Sequence, residues 1–226
     1  MIKMSETDLQ LKKLHDKLNS HIEKQSKNWK SFVYAKQNGF YQGFDEIKIH
    51  GCRSTEKRFK EYKIEKFFDK NFSGLDIGSN CGFFTIYVSR YLGSIDGVEI
   101  NPYLVKIAND TKDFLKINNV NYYTSSFEEF KPKHKYDLVF SLANDETVDG
   151  LTKFTFTEYV QKIVDLLNEH GILAFESQAS DTYYIKKFEP KLEILKNNFH
   201  ILEQRIVKSE YPANVPKRYF LILQRK

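Results

Sequence analysis

The stretch that most constrains this chain is the run Gly-Leu-Asp-Ile-Gly-Ser-Asn-Cys-Gly-Phe-Phe at residues 74–84. It combines the end of a buried strand, a tight glycine-rich turn and the first turn of a helix, which is typical of a nucleotide-binding loop. Gly78 and Gly82 lack a Cβ, so the backbone can approach a ligand closely there, and Asn80 tolerates a left-handed conformation. The helix that follows offers free N–H groups to the ligand.

Asp76, two residues before the first of these glycines, indicates which nucleotide the loop suits. The pyrophosphate of a dinucleotide would meet a carboxylate of its own sign there, whereas a ligand with an ammonium and a sulfonium group would be attracted. The sequence therefore disfavours NAD.

The same residues resemble the first motif of the class I S-adenosylmethionine-dependent methyltransferases, which runs acid-x-Gly-x-Gly-x-Gly. Asp76, Gly78 and Gly82 match it, and Asn80 replaces the middle glycine. The resemblance extends from about residue 67 to the C-terminus. It implies that S-adenosylmethionine is the cofactor and that the loop holds it through Asp76, Gly78, Ser79, Asn80 and Gly82.

A second acid strengthens this interpretation. Residues 94–100 predict a strand that ends in Glu99, at the place where Rossmann-like domains position a carboxylate to accept the ribose hydroxyls. Family members usually contact the adenine after the next strand, which implies that Ser126 bonds the exocyclic amine and Phe127 packs on the ring. Ser141, in the fourth predicted strand, completes the predicted cofactor site.

Polar residues follow the fourth and fifth predicted strands, residues 135–141 and 171–178. Ligands of open α/β sheets lie outside the carboxyl ends of the strands, so chemistry is expected here. The candidates for proton acceptor or for orienting the methyl acceptor are Asp145, Glu146 and Glu176. Capping of the next helix is the alternative role for the acids of the first loop.

Arg53 and Arg58 precede the first strand of the sheet, in the segment that often covers the methionine end of the cofactor in this family. Their planar donor groups suit a carboxylate or an anionic acceptor, and surface ion pairs with Glu56 or Glu61 are equally favoured. Asn144 is the third predicted acceptor-binding residue. The sequences after strands four and five also resemble a bacterial subgroup of the family that is often associated with surface-polysaccharide modification.

The N-terminal residues predict a helical cap. Ser5 with Asp8 resembles an N-terminal cap, and apolar residues recur at helical spacing at Leu11, Leu14, Leu18 and Ile22. The lysine-rich opposite face is either a solvated surface or a contact for RNA or membrane. An aromatic loop at residues 38–44 either lines a pocket or pins the helix to the sheet.

Composition excludes several classes of protein. The net charge of +5 arises from 35 basic and 30 acidic residues spread along the chain, which is unlike a nucleic-acid-coating polycation. Two cysteines, Cys52 and Cys81, provide neither a metal quartet nor a disulfide framework, and a reducing compartment is expected. The start lacks a signal-peptide core and no apolar run approaches the roughly 20 residues that span a bilayer, which predicts a cytosolic protein. Methyl transfer from a sulfonium implies no metal.

The predicted fold is a doubly wound α/β structure with a mostly parallel seven-stranded sheet, a C-terminal antiparallel hairpin and an N-terminal helical cap. The cap comprises residues 1–68 and the cofactor-binding domain residues 69–226. The predicted reaction is O-methylation, or less favoured N-methylation, of a small polar or anionic acceptor such as a sugar or a phosphate-bearing precursor. An RNA methyltransferase and a non-catalytic cofactor-binding module are the two rival functions.

Overall fold

The computed structural model describes residues 5–31, 39–145, 151–178, 182–213 and 215–226, with the backbone alone for residues 182–187. The helices are α1 (Glu6–Asn28), α2 (Thr55–Tyr62), α3 (Phe83–Ser89), α4 (Pro102–Phe114), α5 (Phe156–Leu166) and α6 (Thr182–Asn198). The strands are β1 (Phe40–Gly43), β2 (Gly51–Ser54), β3 (Ser73–Ile77), β4 (Ser94–Glu99), β5 (Val120–Thr124), β6 (Tyr136–Leu142), β7 (Leu167–Glu176), β8 (Phe199–Lys208) and β9 (Lys217–Arg225).

Seven of these strands form one sheet in the order β5-β4-β3-β6-β7-β9-β8. The first five are parallel to their neighbours, whereas β9 runs antiparallel to both β7 and β8. This confirms the predicted doubly wound sheet with its C-terminal hairpin. The chain reverses its direction of winding between β3 and β6, which opens a crevice at the carboxyl ends of these strands.

Both faces of the sheet are buried. Leu138 and Phe140 of β6 pack with α2 and α3 on one face, and Val139 packs with α5 and α6 on the other. Successive side chains of a strand point to opposite faces, so an apolar run such as Leu-Val-Phe is suited to a strand covered on both sides. The cover on both faces leaves the strand ends as the accessible edge.

The predicted N-terminal helix is confirmed as α1. The Ser5 side chain accepts a hydrogen bond from the Asp8 backbone N–H at 3.1 Å, and Leu11, Leu14 and Leu18 are buried. On the polar side of the helix, Lys17 forms a 2.7 Å ion pair with Asp110 of α4. This helix is thereby fixed against the cofactor-binding domain.

Two local features differ from the prediction. The helix α2 ends at Tyr62, before the end of the predicted helical cap at residue 68, because Lys63 adopts a left-handed conformation (φ 47°) and a short 3-10 turn, Glu65–Phe67, follows. The strand β1, which lies in the predicted aromatic loop, pairs in parallel with β2 as a separate two-stranded sheet within this cap. This small sheet carries residues to the site, as described below.

No helix within the described residues is long and apolar enough to cross a bilayer. The described ranges also contain no group of three or more His, Cys, Asp or Glu side chains placed to hold a metal ion. The cytosolic location and the absence of a metal stay predictions.

Candidate active site

A cavity of about 380 Å³ lies at the carboxyl ends of the central strands. The predicted site residues on its wall are Arg58, Asp76, Gly78, Asn80, Glu99, Ser126, Phe127 and Asn144. The following predicted residues are outside its wall: Arg53, Ser79, Gly82, Ser141, Asp145 and Glu176. Glu146 falls outside the described residues.

The glycine-rich loop adopts the backbone that its sequence predicts. Gly78, Asn80 and Gly82 all have positive φ (64°, 54° and 72°). A Cβ added to Gly78 would lie 2.9 Å from Asn144 Oδ1, and one added to Gly82 would lie 2.5 Å from Tyr122 Oη. Gly82 is therefore required by packing at the start of α3, and Gly78 by packing against the Asn144 side chain on the cavity wall.

Gln42 of β1 fixes this loop, a role that sequence reasoning missed. Its Oε1 accepts a hydrogen bond from the Phe83 N–H at 3.1 Å, and its Nε2 donates to the Ser79 carbonyl at 3.4 Å. One amide thus satisfies a free N–H at the start of α3 and a loop carbonyl together. A buried glutamine between aromatic residues of the 38–44 loop was the available signal.

That aromatic loop serves both of its predicted alternatives. Phe40 and Phe44 pack against Phe83, with ring centroids 6.0 and 5.6 Å apart. Tyr41, between them, lies on the cavity wall. Phe40 and Phe44 thus pin the segment, while Tyr41 and Gln42 of β1 line the cavity.

Asp76 lies at the end of β3, where it is 3% exposed. Burial raises the pKa of this carboxyl to about 6, although a 2.6 Å hydrogen bond from Thr85 Oγ1 and the charge of Arg58 both act to lower it. An acid in this position is stabilised in its charged form by a cation. It is therefore suited to the ammonium group of a ligand.

Glu99 ends β4 as predicted, and its carboxylate faces the cavity. Its Oε2 accepts the Asn80 N–H at 3.0 Å and its Oε1 accepts the Asn101 N–H at 2.9 Å. The Asn101 side chain in turn donates to the buried Gln25 of α1 at 2.7 Å. This chain of bonds holds the carboxylate toward the cavity and links it to the N-terminal helix.

The adenine end of the predicted site is aromatic. Phe127 lies on the wall, with its ring 5.2 Å from the ring of Tyr159 in an edge-on arrangement. Ser141 is fully buried behind it, and its Oγ is hydrogen-bonded to Tyr159 Oη at 2.8 Å. The structure therefore gives Ser141 a supporting place beneath the cavity instead of the predicted direct contact.

These features fit the cofactor that the resemblance implies. The cavity has the size of a small-molecule site, Gly78 brings backbone without a side chain to its wall, and Glu99 presents a fixed carboxylate for paired hydroxyls. Asp76 and Arg58, whose charges act on each other, suit the ammonium and carboxylate of an amino acid.

Glu176, a predicted proton acceptor, is instead the centre of an arginine cluster. It is 0% exposed, and Arg53 donates to it from Nη2 at 2.8 Å and from Nη1 at 3.3 Å. Arg58 Nη2 lies 3.7 Å from the same carboxylate. Burial alone would raise the pKa of Glu176, but the charges of Arg53, Arg58 and Arg218 lower it to about 2. Such an acid is a poor base.

The ion pairs also show that one of the two roles considered for Arg53 and Arg58, surface ion pairing, is wrong, while binding of an anionic group stays a prediction. Neither arginine pairs with Glu56 or Glu61 at the surface, because both side chains are buried against Glu176. Arg53 lies behind the cavity wall, whereas Arg58 reaches it.

Asp145, the second predicted proton acceptor, forms a 2.7 Å ion pair with Lys191 of α6. The Lys191 ammonium also lies 5.2 Å from the centre of the Phe156 ring. Asn144, its neighbour, does line the cavity and donates to the Ile77 carbonyl. The loop after β6 thus contributes Asn144 to the cavity and holds Asp145 against α6.

The wall toward β7 and β9 contains residues that the sequence did not single out. Arg218 is the second residue of β9, and Tyr211 follows β8 with its ring 5.8 Å from that of Tyr41. Both line the cavity together with Gln178. The signal for Arg218 was a pair of basic residues directly before the apolar part of the closing strand.

Comparison with known proteins agrees with this geometry. Among curated proteins, the release factor glutamine methyltransferase of Fusobacterium nucleatum is 32% identical over 196 residues, which is 75% of this chain and 49% of that protein. The malonyl-[acyl-carrier protein] O-methyltransferase 1 of Ilyobacter polytropus is 25% identical over 185 residues, 79% of this chain and 58% of its own length. The chain spans about half the length of the curated relatives it matches.

Among solved structures, the N-methyltransferase NodS of Bradyrhizobium japonicum in complex with S-adenosyl-L-homocysteine superposes with a TM-score of 0.63. The match covers 92% of this chain and 98% of NodS at 13% identity, and it shows a shared fold. The model of the AdoMet-dependent proline di-methyltransferase family matches residues 17–220, which include the glycine loop, Glu99 and the strand β8. The chain therefore belongs to this family of S-adenosylmethionine-dependent methyltransferases.

Proposed function

We propose that this chain transfers the methyl group of S-adenosylmethionine to an oxygen atom of a small anionic acceptor. The observation that carries the proposal is the excess of positive charge beside the cavity, where Arg53, Arg58 and Arg218 share the charge of Glu176 among the described residues. This local excess of positive charge attracts anions and repels cations, whereas Asp76, Glu99 and Glu128 line other parts of the described cavity. The sugar or phosphate-bearing acceptor and the surface-polysaccharide role stay predictions within this proposal.

The residues divide into a cofactor side and an acceptor side. On the cofactor side, Glu99 takes the ribose hydroxyls, Phe127 the adenine ring, and Asp76 with Arg58 the zwitterionic methionine end. When bound, the cofactor supplies an electrophilic methyl group on a positively charged sulfur. On the acceptor side, the wall formed by Tyr41, Tyr211 and Arg218 orients the nucleophile at near-attack distance.

The names of the relatives do not identify one acceptor. They describe an O-methyltransferase of malonyl-[acyl-carrier protein], a methyltransferase of a release factor glutamine and an N-methyltransferase. The family description names proline. An amine such as a protein N-terminus is largely protonated at neutral pH. It would meet both the arginine-rich wall and the sulfonium as a cation, so the charge of the site favours an anionic acceptor.

Calorimetry with S-adenosylhomocysteine tests the cofactor side. We expect binding by the wild-type chain, and Glu99→Ala should cost about 1.5–3 kcal/mol because a charge-assisted contact is lost. Asp113→Ala on α4 is the matched control, since that carboxylate is largely exposed and lies outside the cavity. Unchanged binding by Glu99→Ala would contradict the ribose assignment, and binding of NAD in place of S-adenosylhomocysteine would contradict the cofactor.

Incubation with methyl-labelled cofactor and separate pools of metabolites, total RNA and protein tests the acceptor class. We expect the label in acidic small molecules. Label in RNA or in protein N-termini would overturn the small anionic acceptor. Label in no pool, with S-adenosylhomocysteine still bound, would favour the non-catalytic binding module.

A further inference from the structure

Arg218 is a buried guanidinium whose hydrogen-bond partners are uncharged. Its Nε donates to Ser209 Oγ at 3.1 Å, its Nη1 to the Ser177 carbonyl at 3.1 Å and its Nη2 to the Tyr211 carbonyl at 3.3 Å. Nη1 also lies 3.3 Å from Gln178 Oε1. Within the described part of the chain, Arg218 makes no direct ion pair. The hydrogen bonds therefore fix the orientation of the guanidinium group, whereas its positive charge has no carboxylate within ion-pair distance among the described residues.

The charge balance around Arg218 is unfavourable without a ligand. Burial lowers the pKa of Arg218, the charge of Glu176 offsets this in part, and the charge of Arg53 lowers it further. Glu176 is already engaged by Arg53 at 2.8 Å and by Arg58 at 3.7 Å. Burying a charge without a direct partner costs free energy. An anion in the cavity would supply the missing partner, because Arg218 lies on its wall.

Two of the acids predicted as proton acceptors are engaged in ion pairs. Asp145 is paired with Lys191 at 2.7 Å, and Glu176 is held by the arginine cluster. The carboxylates on the described wall are Asp76 and Glu99, which the proposed function assigns to the cofactor, and Glu128, which accepts the Phe154 backbone N–H at 2.8 Å. A nucleophile that arrives already deprotonated removes the need for such a base.

We infer that the acceptor is a carboxylic acid, that Arg218 binds its carboxylate, and that a carboxylate oxygen is itself the nucleophile. In this step the oxygen forms a bond to the methyl carbon, the sulfur–carbon bond breaks and its electron pair stays on sulfur. The products are a methyl ester and S-adenosylhomocysteine. No proton is released, since a carboxylic acid is ionised at neutral pH.

The residues around Arg218 also suggest what carries the carboxylate. The rings of Tyr41 and Tyr211 form an edge-on pair on the cavity wall, and Arg218 is bonded to the backbone of Tyr211. Aromatic walls bind planar or apolar groups well. A carboxylate on an apolar or aromatic body matches this combination better than an inorganic anion.

The first test measures binding to the chain loaded with S-adenosylhomocysteine, using benzoate, its neutral analogue benzamide and phenyl phosphate as probes. We expect benzoate to bind at least about tenfold more tightly than benzamide, as for a charge-assisted contact. Arg218→Gln should remove this preference, and Arg225→Gln on the same strand is the matched control because it lies outside the cavity. S-adenosylhomocysteine affinity reports whether each variant is folded. If Arg218→Gln fails to bind it, Arg218→Lys, which keeps the charge, replaces it and should retain part of the preference.

The inference rests on the proposed methyl transfer, so the second test separates the two. After incubation with methyl-labelled cofactor and a metabolite extract, mild alkali releases the label from a methyl ester as methanol but leaves a methyl ether or methylamine intact. Alkali-labile product that Arg218→Gln does not form supports the inference. Alkali-stable product, no product, or benzamide binding as well as benzoate overturns it, and preferred phenyl phosphate binding assigns the wall to a phosphate. Failure to bind S-adenosylhomocysteine would overturn the proposed function itself.

Discussion

Two features of the surroundings of Asp76 act on its pKa in opposite directions. It is buried, which raises its pKa to about 6, and it lies close enough to Arg58 for that charge to favour ionisation. A bound ammonium group would favour the ionised form further. The protonation state of this one side chain is therefore coupled to the binding of a zwitterionic ligand.

We predict that S-adenosylhomocysteine binds more tightly as the pH rises from 5 to 7. Below the pKa of about 6 in the free chain, binding must first ionise Asp76, so affinity should fall by up to about tenfold per pH unit. Thr85 and Arg58 act on the charge of Asp76, and that charge in turn acts on Tyr122 and Tyr159, whose pKa values are raised above the usual tyrosine range by burial. Calorimetry across the range checks this, and Asp76→Asn should flatten the profile. An unchanged slope in Asp76→Asn would contradict it.

Sequence reasoning reaches some residues of the site and misses others. Gly78, Asn80 and Glu99, which were singled out from a turn and a strand end that neighbouring residues determine, lie on the cavity wall. The partnership of Arg53 with Glu176 joins residues 123 positions apart, and nothing local encodes it. Arg218 and Gln42 were missed for the same reason, since their importance arises from where β9 and β1 are placed by the fold.

At the scale of elements, the arginine cluster joins the N-terminal segment to the sheet. Arg53 comes from β2, Arg58 from α2 and Glu176 from the end of β7. A second link lies outside the arginine cluster. Glu210 follows β8, and it accepts the Ser54 N–H at 2.9 Å and pairs with Lys57. The segment that carries Tyr41 and Gln42 to the site is thus held in place from the far side of the sheet.

We predict that Glu176→Gln destabilises the chain by about 3–5 kcal/mol, because it leaves buried guanidinium groups without their carboxylate. Urea unfolding measures this, and Glu203→Gln on β8 is the control. Glu203 pairs with Lys66 and Arg205 near the surface, where such a pair contributes about 0–1 kcal/mol. Since the pKa of Glu176 is lowered in the folded chain, its contribution is present above the usual pKa of a glutamate and is lost as the pH falls toward 2. A Glu176→Gln chain of full stability that lacks only activity would instead support the role of proton acceptor.

Element by element, the periodic segments were predictable and the short ones were not. The strands β3, β4 and β6 and the helix α1 follow from apolar runs and caps that are several residues long. The pairing of β1 with β2 involves strands of four residues each, which are too short to show a pattern. The end of α2 depends on Lys63, whose left-handed backbone carries no signal in its residue type.

The whole molecule has its N-terminal segment built into a shared core. Leu14 and Leu18 of α1, Phe44 and Ile47 of the following segment, and Ile107 of α4 belong to one buried cluster. The division into a cap at residues 1–68 and a domain at 69–226 stays a prediction. Shared burial of this kind favours unfolding of the two parts in a single transition.

The remaining choice at this scale is between a small acceptor and RNA, and the exposed face of α1 is the surface that would bind RNA. An RNA-binding role would use lysines such as Lys12, Lys13 and Lys24, which are exposed on that face. Each phosphate contact to single-stranded RNA changes the slope of log affinity against log salt by about 0.7, so reversing three lysines to glutamate would reduce it by about 2. We predict no such change relative to a control with Lys131, Lys133 and Lys135 reversed, and unchanged methyl transfer in both variants. Filter binding with total RNA across a salt series measures the slope. Both variants start from the same net charge of +5 and reverse three lysines each, so net charge cannot distinguish them. Tight RNA binding that only the α1 variant loses would therefore assign the chain to RNA.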